Sequence, residues 1–161
     1  MPYVAPEVLR EQPYTQAADI YSFGMIMYFI ATRKQPFSDC AHDNFLAIKI
    51  CNGVKPEISE LEAPKCYIDL MKKCLDSDMD NRPSVVEVDK LINSFYISYS
   101  GRNSSEIQIQ FKEAEEFRES NSSLNSQSII HPEAIYTSRL LNPFTKDLND
   151  KSECLDCKIN D

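Results

Sequence analysis

Asp19-Ile20-Tyr21-Ser22-Phe23-Gly24-Met25-Ile26-Met27-Tyr28-Phe29-Ile30 is the stretch that decides the fold. From Ile20 to Ile30 only Ser22 and Gly24 interrupt an apolar run. A helix with that pattern has no polar stripe to turn toward water, so it belongs at the centre of the molecule. Thr15 is placed to cap it, and its end falls near Ala31. Asp19 is a first-turn acid, favoured there by the helix dipole. Gly24 costs a helix interior about 1 kcal/mol relative to Ala, which points to close packing at that position. The run is shorter than the ~20 apolar residues that a membrane-spanning helix needs.

Working outward, further helices follow. Asp43 can cap Asn44 to about Asn52, with Phe45 and Ile48 on one side and Gly53 ending it. Pro64 suits the first position of a third helix. There Tyr67, Leu70, Met71, Cys74 and Leu75 form one stripe at i, i+3, i+4, i+7, i+8. Ser84 and Glu87 make a capping box for a fourth, with Val85, Val88, Leu91 or Ile92, and Phe95 as its apolar face. No alternating run bounded by hairpin turns argues for a strand. The expected class is mainly α, four helices with the apolar one central and buried.

The composition changes near residue 96. Residues 1–96 are dense in Ile, Leu, Val, Met, Phe and Tyr. Residues 97–161 are rich in Ser and Asn, with clusters such as Ser120-Asn121-Ser122-Ser123. Such a segment buries little apolar surface per residue ordered, so 97–161 is expected to be a largely disordered acidic tail. Two short helices are weak candidates within it: Glu106–Ser120, where Ile107-Gln108-Ile109-Gln110-Phe111 also alternates like a strand, and Pro132 to about Leu141. The boundary is expected at about 96–104.

Charge narrows the function classes. The net charge is −8 over 161 residues. An acidic chain lacks the clustered Lys and Arg that displace counterions from nucleic acid, so nucleic acid is not an expected partner, nor is an anionic membrane surface. Met1-Pro2-Tyr3-Val4 does not read as a secretory leader. A cytoplasmic location and reduced thiols are therefore expected for the six cysteines. Cys154-Leu155-Asp156-Cys157 has no second pair or nearby His couple, so two exposed thiols are expected there rather than a metal site.

Beyond these general features, ordered motifs carry a resemblance. Tyr3-Val4-Ala5-Pro6-Glu7-Val8-Leu9 resembles the alanine-proline-glutamate motif that closes a protein-kinase activation segment. Asp19–Gly24 resembles the start of the central helix of the kinase C-terminal lobe. Gln35-Pro36-Phe37, Gly53-Val54-Lys55-Pro56, Leu70–Asp76 and Asn81-Arg82-Pro83 follow in family order. Over residues 2–96 the style is similar to the tyrosine-kinase-like and tyrosine-kinase branches. Tyr21 and Leu75 stand where those branches usually have tryptophan. The resemblance implies the second half of a kinase C-terminal lobe at 1–96. It implies an ion pair between Glu7 and Arg82. It also implies that the Asp19 carboxylate accepts hydrogen bonds from the backbone of the catalytic loop. Met1, Pro2 and Tyr3 match the end of the stretch that contacts the substrate, and at a free terminus they are expected to be disordered. Phe45, Leu46 and Ile50 lie on a helix that often docks partners, although core or cap roles are commoner for such residues.

The same resemblance says what this chain does not carry. The phosphate-gripping lysine, the catalytic aspartate and the metal-binding aspartate all precede the alanine-proline-glutamate motif in family order. The three glycines, at 24, 53 and 101, form no phosphate-cradling loop. No catalytic, cofactor-binding or metal-binding residue is therefore expected here. ATP and magnesium belong to the intact family, and protein substrates or partner proteins are the expected partners. The expected function is a fragment of a protein kinase, beginning at an internal methionine and inactive alone. The alternative is a non-catalytic, kinase-derived scaffold or interaction module. With the preceding elements absent, part of the central helix is expected to be uncovered.

Overall fold

The computed structural model describes residues 1–101, 106–120 and 130–141, and every regular element among them is helical. The helices are α1 (Pro6–Leu9), α2 (Gln16–Thr32), α3 (Asn44–Cys51), α4 (Lys65–Cys74), α5 (Val85–Ser100) and α6 (Glu106–Ser120). A single 3-10 turn, Met79–Asn81, lies between α4 and α5.

The apolar run forms α2, and Tyr21, Met25 and Met27 on it are almost fully buried. Thr15 stands at the N-cap position, but its side chain makes no capping bond. A tertiary contact also reaches the first turn, where Arg82 donates to the Ala17 carbonyl at 2.8 Å. The other face of α2 is open. Ile26, Phe29 and Ile30 are 46%, 39% and 62% exposed, a stripe at i, i+3 and i+4.

The closest approach in the core explains Gly24. A Cβ there would sit 2.8 Å from Leu75 Cδ2 and 2.9 Å from Cys74 Cβ. Losing the side chain lets α4 lie against α2. Tyr67 extends that contact by donating its hydroxyl to the Met27 carbonyl at 3.0 Å. Burial pushes the Tyr67 phenol up to about 12, with the Arg118 charge working the other way, so it remains a donor at neutral pH. Tyr21 and Leu75, the two departures from tryptophan, are each 1% exposed and belong to the core.

The caps show where local sequence is sufficient. Asp43 accepts from the backbone amides of Phe45 and Leu46 at 3.0 and 3.2 Å, and Ser84 and Glu87 form the full capping box. Pro64 stands one residue earlier than expected, at the N-cap, and has no side chain to cap α4. Gln110 of α6 does so instead, its Oε1 accepting from the Cys66 amide at 3.0 Å. Helix α5 continues past 96 to Ser100 and buries only Val88 and Phe95. The Ile107–Phe111 stretch is helical rather than a strand, and Phe111 packs on Phe95 and Tyr99 with ring centroids 6.4 and 5.6 Å apart.

One expected element does not form. The segment expected as a helix from Pro132 to Leu141 is irregular. Apart from one turn, in which Ala134 donates to the His131 carbonyl, its backbone groups bond to the loop before α3 rather than to its own preceding turn. Residues Cys154–Cys157 lie outside the described part.

Gly24→Ala should destabilise the fold. The gain of about 1 kcal/mol in helix propensity is outweighed by overpacking, which typically costs 1–3 kcal/mol. Urea unfolding should show the loss, and the loss should shrink in a Leu75→Ala background, where the obstructing side chain is gone.

Candidate functional site

Three features converge around α1: a buried ion pair, the chain preceding α1, and the segment 130–141. The ion pair is built first, because it positions the others. Arg82 follows the 3-10 turn in extended backbone, so its side chain reaches under α1. It forks onto Glu7, with Nη1 on Oε1 at 2.7 Å and Nη2 on Oε2 at 2.8 Å. Its remaining contacts are the Ala17 and Asp76 carbonyls, each at 2.8 Å, the latter from Nε. The guanidinium carbon lies 5.1 Å from the centroid of the Tyr21 ring. The two side chains are 0% and 6% exposed.

Burial alone pushes the Glu7 carboxyl up. The Arg82 hydrogen bonds, a backbone hydrogen bond at Glu7 itself and the Arg82 and Arg10 charges outweigh that, and hold it below the ordinary carboxylate range. The pair is therefore ionised at neutral pH, with every carboxylate oxygen and three of the guanidinium's five N–H groups engaged in charge-assisted or carbonyl bonds before the Ala17 contact is added. Arg10 adds a second tie, from Nη2 to the Cys51 carbonyl of α3.

The chain before α1 is ordered, contrary to the expectation for Met1, Pro2 and Tyr3. Met1 and Pro2 are buried, and Tyr3 is half-buried. Tyr3 donates its hydroxyl to Gln35 Oε1 at 2.7 Å, and its carbonyl accepts from Ser22 Oγ at 2.8 Å. The physical reason is that α2 and the loop after it offer both an apolar seat and polar partners to these residues.

Asp19 sits elsewhere. It is exposed, and Oδ1 accepts from the Tyr14 hydroxyl at 3.0 Å. On α3, Leu46 and Ile50 are core residues at 2% and 0% exposure, whereas Phe45 is 74% exposed.

Sequence reasoning missed the role of His42. It is 2% exposed and lies at the junction of the loop before α3 with segment 130–141. Nε2 contacts the Phe37 carbonyl at 3.0 Å. Nδ1 lies 2.9 Å from the Ile135 carbonyl and 3.0 Å from the Ile135 amide, so each ring nitrogen meets a backbone carbonyl. Tyr136 stands edge-on to the imidazole, with centroids 4.8 Å apart and planes at 86°. A solitary histidine in a polar loop carried no signal of this kind, since the partner is 93 residues away.

What this arrangement can do chemically is limited. The four described cysteines are free thiols, and all four are pushed up by burial, Cys74 to about 11, so none is an activated nucleophile. No three His, Cys, Asp or Glu residues converge as metal ligands among the described residues. The one deeply buried cation, Arg82, is already committed to Glu7.

Glu7→Gln should destabilise the chain by roughly 3–5 kcal/mol, because it strands the buried Arg82 charge, and Arg82→Met should cost a similar amount by stranding the carboxylate. The Glu7 contribution is complete above the unfolded carboxyl value of about 4.3 and is lost as pH falls through the depressed folded value. Unfolding midpoints measured between neutral pH and pH 3 should fall more steeply for the wild type than for Glu7→Gln.

The sequence matches the family described as "Protein kinase domain" over residues 1–97. It is 38% identical over 88 residues to a serine/threonine-protein kinase/receptor of Acanthamoeba polyphaga mimivirus, covering 53% of this chain and 5% of that protein. It is 35% identical over 101 residues to the mouse (Mus musculus) serine/threonine-protein kinase Nek10, covering 62% of this chain and 9% of that protein. It is 37% identical over 92 residues to the dual specificity protein kinase shkE of Dictyostelium discoideum, covering 56% and 13%. The chain thus spans a small part of the length of the curated relatives it matches. With helices in the expected order and the family match spanning more than half of its residues, this chain belongs to the protein kinase domain family.

Proposed function

We propose that this chain is the closing part of the C-terminal lobe of an ATP-dependent protein kinase acting on protein hydroxyls. The observation that carries the reading is the Arg82 fork on Glu7, which ties the motif closing the activation segment to the turn between the last two helices of the matched region. Phosphoryl transfer depends on positioning and on metal-borne charge stabilisation. The groups that supply these belong to the part of the family that precedes Glu7. The role of the present residues is then mechanical. They hold the activation segment's end, with Met1, Pro2 and Tyr3 at the peptide-facing edge. Serine and threonine are the favoured acceptors, because relatives from a virus and a mammal are both named serine/threonine kinases. The working location is the cytoplasm, consistent with an acidic chain in which no described helix is long and apolar enough to cross a membrane.

A second reading draws on the open stripe of Ile26, Phe29 and Ile30: a non-catalytic interaction module built on kinase-derived helices. The two readings part on one experiment. The isolated 161-residue chain, given magnesium, radiolabelled ATP and a mixed protein acceptor, should transfer no label under either. The intact gene product should label serine and threonine under the first reading and nothing under the second. Label transferred by the isolated chain would defeat both.

A further inference from the structure

We infer that residues 130–141 are a detachable cis-ligand of the corner formed by Tyr3, Pro36–Ser38 and His42, and that this corner is a docking surface for peptides that present a turn followed by a tyrosine and an arginine. The contacts have the character of peptide recognition. His131 donates its amide to the Ser38 carbonyl at 2.8 Å, the Glu133 carbonyl accepts from the His42 amide at 3.1 Å, and the Ile135 amide and carbonyl both meet His42 Nδ1. A turn, closed by the Ala134 amide on the His131 carbonyl, brings these backbone groups to one side. Two side chains add selectivity. Tyr136 donates its hydroxyl to the Pro36 carbonyl at 3.1 Å, and Arg139 donates to the His42 carbonyl. The peptide chemistry that fits is a backbone turn followed by a phenol three residues ahead of a guanidinium.

The segment is held mostly by polar contacts, with Leu141 partly buried against the core. Ile130, Ile135 and Leu140 are 55%, 40% and 81% exposed. Hydrogen bonds of this kind trade against water, so release is not opposed by a large hydrophobic term. Burial pushes the Tyr136 phenol upward, and Tyr3 heads the neighbouring groups that add to the shift. Tyr3 bonds to Gln35 and Tyr136 to the carbonyl of the next residue, Pro36, which places the segment beside the chain that precedes α1. The remainder of the inference rests on the function proposed above: there Tyr3 lies at the peptide-facing edge, so the docked segment shields that edge from substrates in cis.

The test uses a labelled synthetic peptide of residues 130–141 and the full chain, wild type against the double variant Tyr136→Ala, Arg139→Ala. A segment docked nine-tenths of the time weakens capture in trans about tenfold, so the variant should bind the peptide about tenfold more tightly than the wild type by fluorescence anisotropy. A peptide carrying the same two substitutions should not bind. Equal affinity in both proteins, or no capture by a variant whose unfolding midpoint matches the wild type, overturns the inference. If the double variant fails to fold, Tyr136→Phe serves: amide exchange at His42, His131 and Ile135 should quicken while that of α2 is unchanged, and unaltered exchange overturns the docking. In the intact protein, the substitutions should lower the KM for a peptide acceptor several-fold and leave the KM for ATP alone. An unchanged peptide KM overturns the shielding role. Absence of any phosphate transfer overturns the kinase reading instead, while the capture experiment still decides the docking.

Discussion

A guanidinium and a carboxylate separated by 75 positions in the chain are pressed together where water does not reach, and the fold is arranged around them. Neither charge is tolerable there alone, since desolvating an ion costs several kcal/mol that only a well-oriented partner offsets. Arg82 meets that demand with a planar fork, a geometry that lysine lacks. The same side chain also satisfies the Ala17 and Asp76 carbonyls. One residue thereby ties α1, the first turn of α2 and the end of α4 to one another.

The second constraint is the approach of α2 to α4. An apolar helix buries well only if its neighbour comes close, and Gly24 removes the atom that would prevent it. Leu75 and Cys74 fill the space, and Tyr67 adds a directional bond to the Met27 carbonyl. Interiors are packed like crystals, so a contact this short leaves little room for variation in either partner. The opposite face, with Ile26, Phe29 and Ile30, has no such neighbour among the described residues.

The residues after 96 behave in two ways. Helix α6 packs the partly buried Phe111 against α5 and supplies the cap that Pro64 cannot, so it is an added layer of the same core. Residues 130–141 contribute mainly polar bonds to the loop before α3, with Leu141 partly buried against the core. Composition did not foretell where their backbone bonds would go.

Periodicity and local capping determined the element list. The stripe on α4, the Asp43 cap and the Ser84–Glu87 box are interactions between residues two to eight apart, and such interactions can be read along a line. The Glu7–Arg82 association was legible only through the ordered motifs, since nothing in a lone Glu and a lone Arg says that they meet. Tertiary structure alone decided the rest. The seating of Tyr3, Gln110 as the cap of α4, and the burial of His42 under Tyr136 all join residues far apart in sequence. Their partners are chosen by which surfaces the packed helices bring together, and the order of residues along the chain does not encode that choice locally.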